Sequence, residues 1–404
     1  MAGDTTQRRR PIWGNIVFLI GSPLAAAILV PWYAMTHGIG AGPIWAGLAL
    51  WALTGLSITV GYHRLFSHRS FKAPAPVRLL FVIFGAAAWQ NSVIAWSAAH
   101  RFHHRHVDTD HDPYNAKRGF IWSHLGWVLV EGPQHNEFGN VPDLWNDPIC
   151  AWQHRNYMKI SIAVNVGVPL LLGLLFGDIA GMLLVAGLLR VVVIHHITFC
   201  INSFAHIIGT QPWDNANSSR DNWVLSLVTF GEGYHNYHHA FQGDYRNGTL
   251  WYNFDPSKWT IWSLARVGLA TDLRRTPADV VMKHRFAGRS RALRLWMDDV
   301  SRRMEAWSGR MKEDHKGRLD GVQERLESAQ MRLEQSFEEL TASRKRWALA
   351  VREHRAQKRE ATREEMKALR RSFRARRRVA KIAMREWEEH FADYMRLTAQ
   401  PTLA

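Results

Sequence analysis

The chain has 404 residues, a formal net charge of +16, 47% hydrophobic residues and two cysteines. Cys150 and Cys200 form no spaced pair, which excludes a disulfide framework, a zinc knuckle and a thioredoxin-like motif. The charge is uneven: residues 281–404 hold 31 Lys and Arg against 19 Asp and Glu, so a largely apolar part precedes a basic, water-soluble one.

The N-terminal stretch MAGDTTQRRRPIWGNIVFLIG sets Arg8, Arg9 and Arg10 before an apolar run. The run is too long for a signal peptide and has no convincing cleavage site. It reads as a first transmembrane helix with its arginines cytoplasmic. Apolar runs 15–36 and 41–62 predict a hairpin that starts and ends inside. His63 and His68 of HRLFSH follow it. A single apolar run, 79–99, separates them from His100, His103 and His104 of HRFHH. One crossing there would put these boxes on opposite sides, so 79–99 predicts an interfacial helix with Gln90, Asn91 and Trp96 facing polar surroundings. Runs 158–176 and 179–201, joined by Gly177 and Asp178, predict a second hairpin. It returns the chain to the face where His235, His238 and His239 of HNYHH lie. The expected fold is all-α: a cytoplasmic N-terminus (1–14), a membrane domain (15–277) of four transmembrane helices with a cytoplasmic helical cap, and a helical or coiled-coil extension (278–404). Both termini are expected on the cytoplasmic side of a bacterial inner membrane.

In a helix, HxxHH puts its histidines on one face, able to aim at one point. The five-residue spacing of His63 and His68 suits a helix end that unwinds. Neutral imidazole is the commonest metal ligand. The eight box histidines exceed what one metal can take, so two metals are expected. No ExxH pair of a carboxylate-bridged di-iron bundle is present. A site this rich in neutral nitrogen points to membrane-bound, oxygen-activating di-iron chemistry, which can remove hydrogen from an unactivated C–H bond. His195 and His196 read as packing or interfacial residues.

The segments GYHRLFSHRSFKAP, HRFHHRHVDTDHDPYNAKRGFIWSHLGW, INSFAHIIGTQPWD and GEGYHNYHHAFQGDYRNG resemble the membrane fatty-acid desaturases, specifically the acyl-CoA Δ9 (stearoyl-CoA) branch. The resemblance covers roughly residues 12–277. It implies a non-haem di-iron centre, dioxygen, a cis double bond as product, and electrons from a separate carrier (ferredoxin, rubredoxin or cytochrome b5-like) with its reductase. It also implies His206 as a ninth histidine ligand, and Asn202 as a ligand acting through a water. Gln90, Asn91, Trp96 and Thr198 match the family's substrate site. Phe199 replaces a tryptophan of the animal enzymes beside the acyl channel. Those enzymes read Trp-Ala-Arg-Asp-His before the second box, whereas this chain has Trp96-Ser97-Ala98-Ala99-His100. Lys117 and Arg118 are the candidates to hold a CoA head group instead; otherwise the acyl carrier is a phospholipid. The remaining alternatives are a membrane fatty-acyl or alkane hydroxylase, and a metal-binding membrane scaffold.

Nine carbons beyond a reacting position near His63 span about 11 Å, or seven to eight helical residues. Gly55 is expected to leave room there and Trp51 to close the end. Arg190, inside an apolar run, is expected to make a structural contact. In the extension, Leu319, Val322, Leu326, Met331, Leu333, Phe337 and Leu340 recur at roughly helical spacing, and RRSFRARRRVAKIAMR is strongly basic. The extension reads first as a solvated helical appendage; contact with the anionic cytoplasmic leaflet, nearer than any nucleic acid, and docking of an acidic electron carrier are the alternatives. No HPGG haem element and no GxGxxG fingerprint occurs.

Overall fold

The computed structural model describes residues 10–132, 138–288, 313–357 and 363–399. Arg8 and Arg9, with the rest of residues 1–9, lie outside them. The described residues hold no β-strand, only isolated bridges such as Pro11 to Val130. The chain divides into two units, Met1–Thr276 and Pro277–Ala404.

In the first unit, α1 (Trp13–His37) and α2 (Ala41–Ser67) are long and apolar enough to cross a membrane. Short helices α3 (Ala75–Ala86), α4 (Val93–His106), α5 (Phe120–His124) and α6 (Pro142–Trp145) follow. Then come α7 (Pro148–Phe176) and α8 (Ile179–Ile207), the other two of membrane-spanning length. The order closes with α9 (Trp223–Val228), α10 (His235–Ala240) and α11 (Pro256–Arg266). The spanning helices outrun their apolar stretches. Asp147 caps α7 by accepting from the Ile149 amide, ten residues before apolarity alone would start it.

The structure corrects the expectation of one helix over 79–99. α3 ends at Ala86 and α4 begins at Val93. Trp89 (φ 53°) and Asn91 (φ 78°) occupy the left-handed region between them, which no α-helix tolerates. Ser92 then caps α4 through the Ala95 amide. A second correction concerns His63 and His68. The helix does not unwind there; residues Ser57–Ser67 widen to π pitch. The His68 amide donates to the His63 carbonyl at 3.0 Å, five residues back, which aligns the two imidazoles. α3 lies close against this segment, since a Cβ at Gly85 would come within 2.2 Å of the Tyr62 ring.

The second hairpin turns at Gly177 (φ 75°) and Asp178. Asp178 accepts from the Gly181 amide at 2.7 Å and from the Tyr33 hydroxyl at 2.6 Å, which ties the turn to α1. Arg190 makes the structural contact expected of it. Its guanidinium donates to Asn165 Oδ1 at 2.6 Å and to the Ala87 carbonyl at 2.9 Å, holding α7, α8 and the end of α3 together.

The second unit contains α12 (Glu313–Gln357) and α13 (Arg363–Ala399), packed on each other. Leu319, Val322, Leu326, Ala329, Leu333, Ser336 and Leu340 are all buried, a strict three-four alternation. Met331 falls outside that register and is 65% exposed, so Ala329 takes the seam position instead. From α13, Ala380, Ala383, Met384, Trp387 and Tyr394 complete this core.

Candidate metal centre

α2, α4, α8 and α10 each bring histidines to one buried region. His63, His68, His100, His104 and His238 form one group, and His103, His206, His235 and His239 a second. Within each group the candidate ligand atoms lie within 4.8 Å of one another. In the first, His238 Nε2 is 3.0 Å from His63 Nε2 and 2.9 Å from His104 Nε2. His100 Nε2 is 2.8 Å from that of His68 and 3.1 Å from that of His104. In the second, His235 Nε2 lies 3.1 Å from both His206 and His239.

The boxes therefore do not each aim at one point, as the spacing suggested. His100 and His104 enter the first group while His103 enters the second; His235 and His239 enter the second while His238 enters the first. Helical pitch explains the split. Residues i and i+4 differ by about 40° around the axis, whereas i+3 and i+4 differ by about 100°.

The donor set fits metal ions. His63 Nδ1 faces Glu232 Oε2 at 3.0 Å, and His103 Nδ1 faces Asp112 Oδ1 at 2.8 Å. An ionised carboxylate only accepts, so each Nδ1 donates to its carboxylate and each Nε2 is the ring atom left to ligate. His63 Nε2 nevertheless faces His238 Nε2, and His103 Nε2 faces His239 Nε2 at 3.4 Å. Ring nitrogens converging in a buried space are the donor set a cation takes. Burial, then the neighbouring imidazoles, hold His68, His100, His104, His235, His238 and His239 well below the usual histidine range, so these rings stay neutral and able to ligate.

Three supporting residues were missed from the sequence. Glu232 is buried; burial pushes its carboxyl up, but Arg64 and His63 outweigh this and hold it at about 2. Arg64 donates to Glu232 Oε1 at 2.8 Å and to the Tyr245 carbonyl at 2.8 Å, and it pairs with Asp255 at 3.0 Å. Burial likewise pushes Asp112 up, but His103 outweighs it and lowers the carboxyl below its ordinary range. The usable signal was an acidic residue close to two of the boxes: Glu232 in GEGYH, three residues before His235, and Asp112 in the HVDTDHD that follows HRFHH, eight residues after His104.

A cavity of about 510 Å³ opens onto both histidine groups. His63, His100, His103 and His235 line it, as do Gln90, Asn91, Trp96, Thr198, Phe199 and Asn202. Gln90 donates to Thr198 Oγ1 at 2.9 Å and accepts from Trp96 Nε1 at 3.3 Å, while Trp96 stacks on His100. His195, read from the sequence as packing, also lines the cavity and stacks on Phe199. Lys117 and Arg118 do not line it. Arg118 lies over the Trp122 ring, and Lys117 Nζ is 4.0 Å from Asp108. Gly55 and Trp51 also miss this cavity, and Gly55 leaves no room. A Cβ there would sit 2.2 Å from the Phe230 ring, with the Trp51 ring tilted by 41° against that ring at 4.7 Å.

The fatty acid desaturase family model matches residues 43–270, a span that includes all nine of these histidines. The chain is 43% identical over 268 residues to acyl-CoA desaturase 1 of Saccharomyces cerevisiae, covering 65% of this chain and 52% of that protein. It is 36% identical over 292 residues to stearoyl-CoA desaturase 5 of Bos taurus, covering 69% and 84%. To the sn-1 stearoyl-lipid 9-desaturase of Anabaena variabilis it is 35% identical over 266 residues, covering 65% and 93%. The chain thus spans about half the length of the yeast relative. With two histidine groups assembled from α2, α4, α8 and α10, and a family match over residues 43–270 that contains all nine histidines, the chain belongs to the fatty acid desaturase family.

Proposed function

We propose that the chain is an oxygen-dependent acyl desaturase that introduces a cis double bond at Δ9 into a saturated acyl chain carried as acyl-CoA. The observation that carries this reading is the cavity, which joins an apolar approach past Phe18 and Leu19 to imidazoles of both histidine groups. Two iron ions are the proposed occupants, one in each group, with Asn202 acting on one of them through a water. Iron with dioxygen supplies hydrogen removal from an unactivated C–H bond, which no side chain can perform. The chain's own residues orient the substrate. The Trp96–Gln90–Thr198 hydrogen bonds fix the wall beside His100, and the apolar lining excludes water. Electrons are taken to come from a separate carrier and its reductase. With four spans both termini share one side, which we assign to the cytoplasm.

A second reading of the carrier has a specific basis. Lys117 and Arg118 stand away from the cavity, and the Anabaena relative is named for a lipid substrate. Purified protein offered stearoyl-CoA and a stearoyl phospholipid in parallel decides between them. For the reaction itself, fatty-acid analysis of cells expressing the wild type beside His100→Ala is the direct test. An added hydroxyl in place of a double bond would make the protein a hydroxylase.

Chain length is set, on this reading, by Phe230. A second, smaller cavity shares Ile58, Thr59, Thr198 and Ile201 with the main one and ends on Gly55 and Phe230. Phe230→Ala should join the two and shift preference toward longer chains, by about tenfold per methylene admitted. Gly55→Ala should overpack the same spot at a cost of about 1–3 kcal/mol, and Phe230→Ala should relieve it in the double variant. Product profiles by gas chromatography check both; an unchanged profile in Phe230→Ala would remove this residue from the channel's end.

A further inference from the structure

Between Lys367 and Arg385, α13 carries nine Lys and Arg and no Asp or Glu. Its seam residues Ala380, Ala383 and Trp387 are buried in the core shared with α12. Arg371, Arg374, Arg378, Lys381 and Arg385 recur at three- and four-residue intervals away from that seam, and all five are exposed. Arg376 pairs with Glu339 and Arg371 with Glu364, but Arg374, Arg378, Lys381 and Arg385 form no ion pair among the described residues. Ala375, Val379 and Ile382 run beside this basic stripe, with Val379 56% and Ile382 58% exposed. A merely solvated helix mixes its charges, as α12 does with Glu324, Arg325, Glu327, Arg332 and Glu334.

We infer that this face of α13 binds the anionic headgroups of a phospholipid surface. Each Lys or Arg near such a surface strengthens binding about fivefold, and unpaired side chains are free to contribute fully. The uncharged stripe selects lipid over nucleic acid. Val379 and Ile382 can enter the boundary between headgroups and acyl chains, for which a duplex offers no counterpart. The same polypeptide also carries four helices of membrane-spanning length, so a bilayer is held at high effective concentration and modest affinity suffices. This inference is independent of the metal centre and of the reaction.

The test uses full-length protein in phosphatidylcholine nanodiscs. These are mixed with vesicles of phosphatidylcholine alone or with added phosphatidylglycerol, and capture is read by flotation. The nanodisc occupies the spanning helices, so capture reports the water-exposed surfaces. Anionic vesicles should capture the protein and neutral ones should not, with capture falling as salt rises. Replacing Arg371, Arg374, Arg378, Lys381 and Arg385 by Gln should weaken capture at least about a hundredfold. Val379→Ser with Ile382→Ser should weaken it while keeping its salt dependence. Arg318→Gln with Arg325→Gln, on α12, should leave it unchanged. Equal capture by both vesicle types, or full capture of the five-fold Gln variant, would overturn the inference. Tighter binding to duplex RNA than to anionic vesicles at the same salt would assign the face to nucleic acid instead. Should the five-fold variant fail to fold, the two lipid arms and the serine pair still decide.

Discussion

His238→Ala is expected to abolish desaturation and to empty at least the first histidine group of metal. His238 Nε2 sits between His63 and His104, at 3.0 and 2.9 Å, so its loss removes the central member of that group. Alanine puts no donor in its place, and the remaining rings are anchored on α2 and α4, with His63 and His100 buried. His100→Ala should behave alike. His195→Ala is the matched control: its ring lines the cavity and stacks on Phe199, but it belongs to neither group. That variant should keep its full metal load and most of its activity. Metal content by plasma spectrometry and products by gas chromatography, at matched expression, measure both. Near-normal product from His238→Ala would sink the shared-site reading.

Glu232→Gln is expected to weaken metal binding about 10–100-fold, although it changes no side-chain volume. Every contact of Glu232 is with a donor: Arg64 at Oε1, and His63 Nδ1 and Asn247 Nδ2 at Oε2. An amide has one oxygen, so in either orientation its NH2 faces a donor. Arg64 then loses a buried anionic partner, and breaking such a pair costs about 3–5 kcal/mol. His63 also loses the acceptor that fixes its tautomer. The pH dependence has a definite sign. The folded pKa of about 2 lies below the ordinary glutamate value, so the stabilisation is complete above about 4.3. It is lost as pH falls toward 2. The gap in unfolding temperature between wild type and Glu232→Gln, measured on metal-free protein, should therefore narrow with acid. A variant that binds metal as tightly as wild type would reduce Glu232 to a structural role.

Four apolar stretches and three clustered boxes were legible because hydropathy and helical spacing are local properties. Both hairpins follow from composition, and the turn at Gly177 and Asp178 follows from residue type. The 79–99 stretch misled because apolarity does not record a chain reversal. The positive φ of Trp89 and Asn91 breaks that helix. Met331 misled for a related reason: a large apolar side chain is a weaker guide than strict heptad register, which placed the smaller Ala329 in the seam.

The sequence by itself determined that histidines would gather at the ends of apolar helices, and that a basic helical segment would follow. It could not say which histidine joins which group. That depends on how α2, α4, α8 and α10 rotate about their axes when packed, and those rotations are fixed by contacts between residues far apart in the chain, such as His63 and His238, 175 positions apart. The same long-range packing set Phe230 on Gly55 and buried Glu232 against Arg64, 168 residues away. Pitch orders side chains along one helix, but only the packing of several helices decides which lone pairs meet.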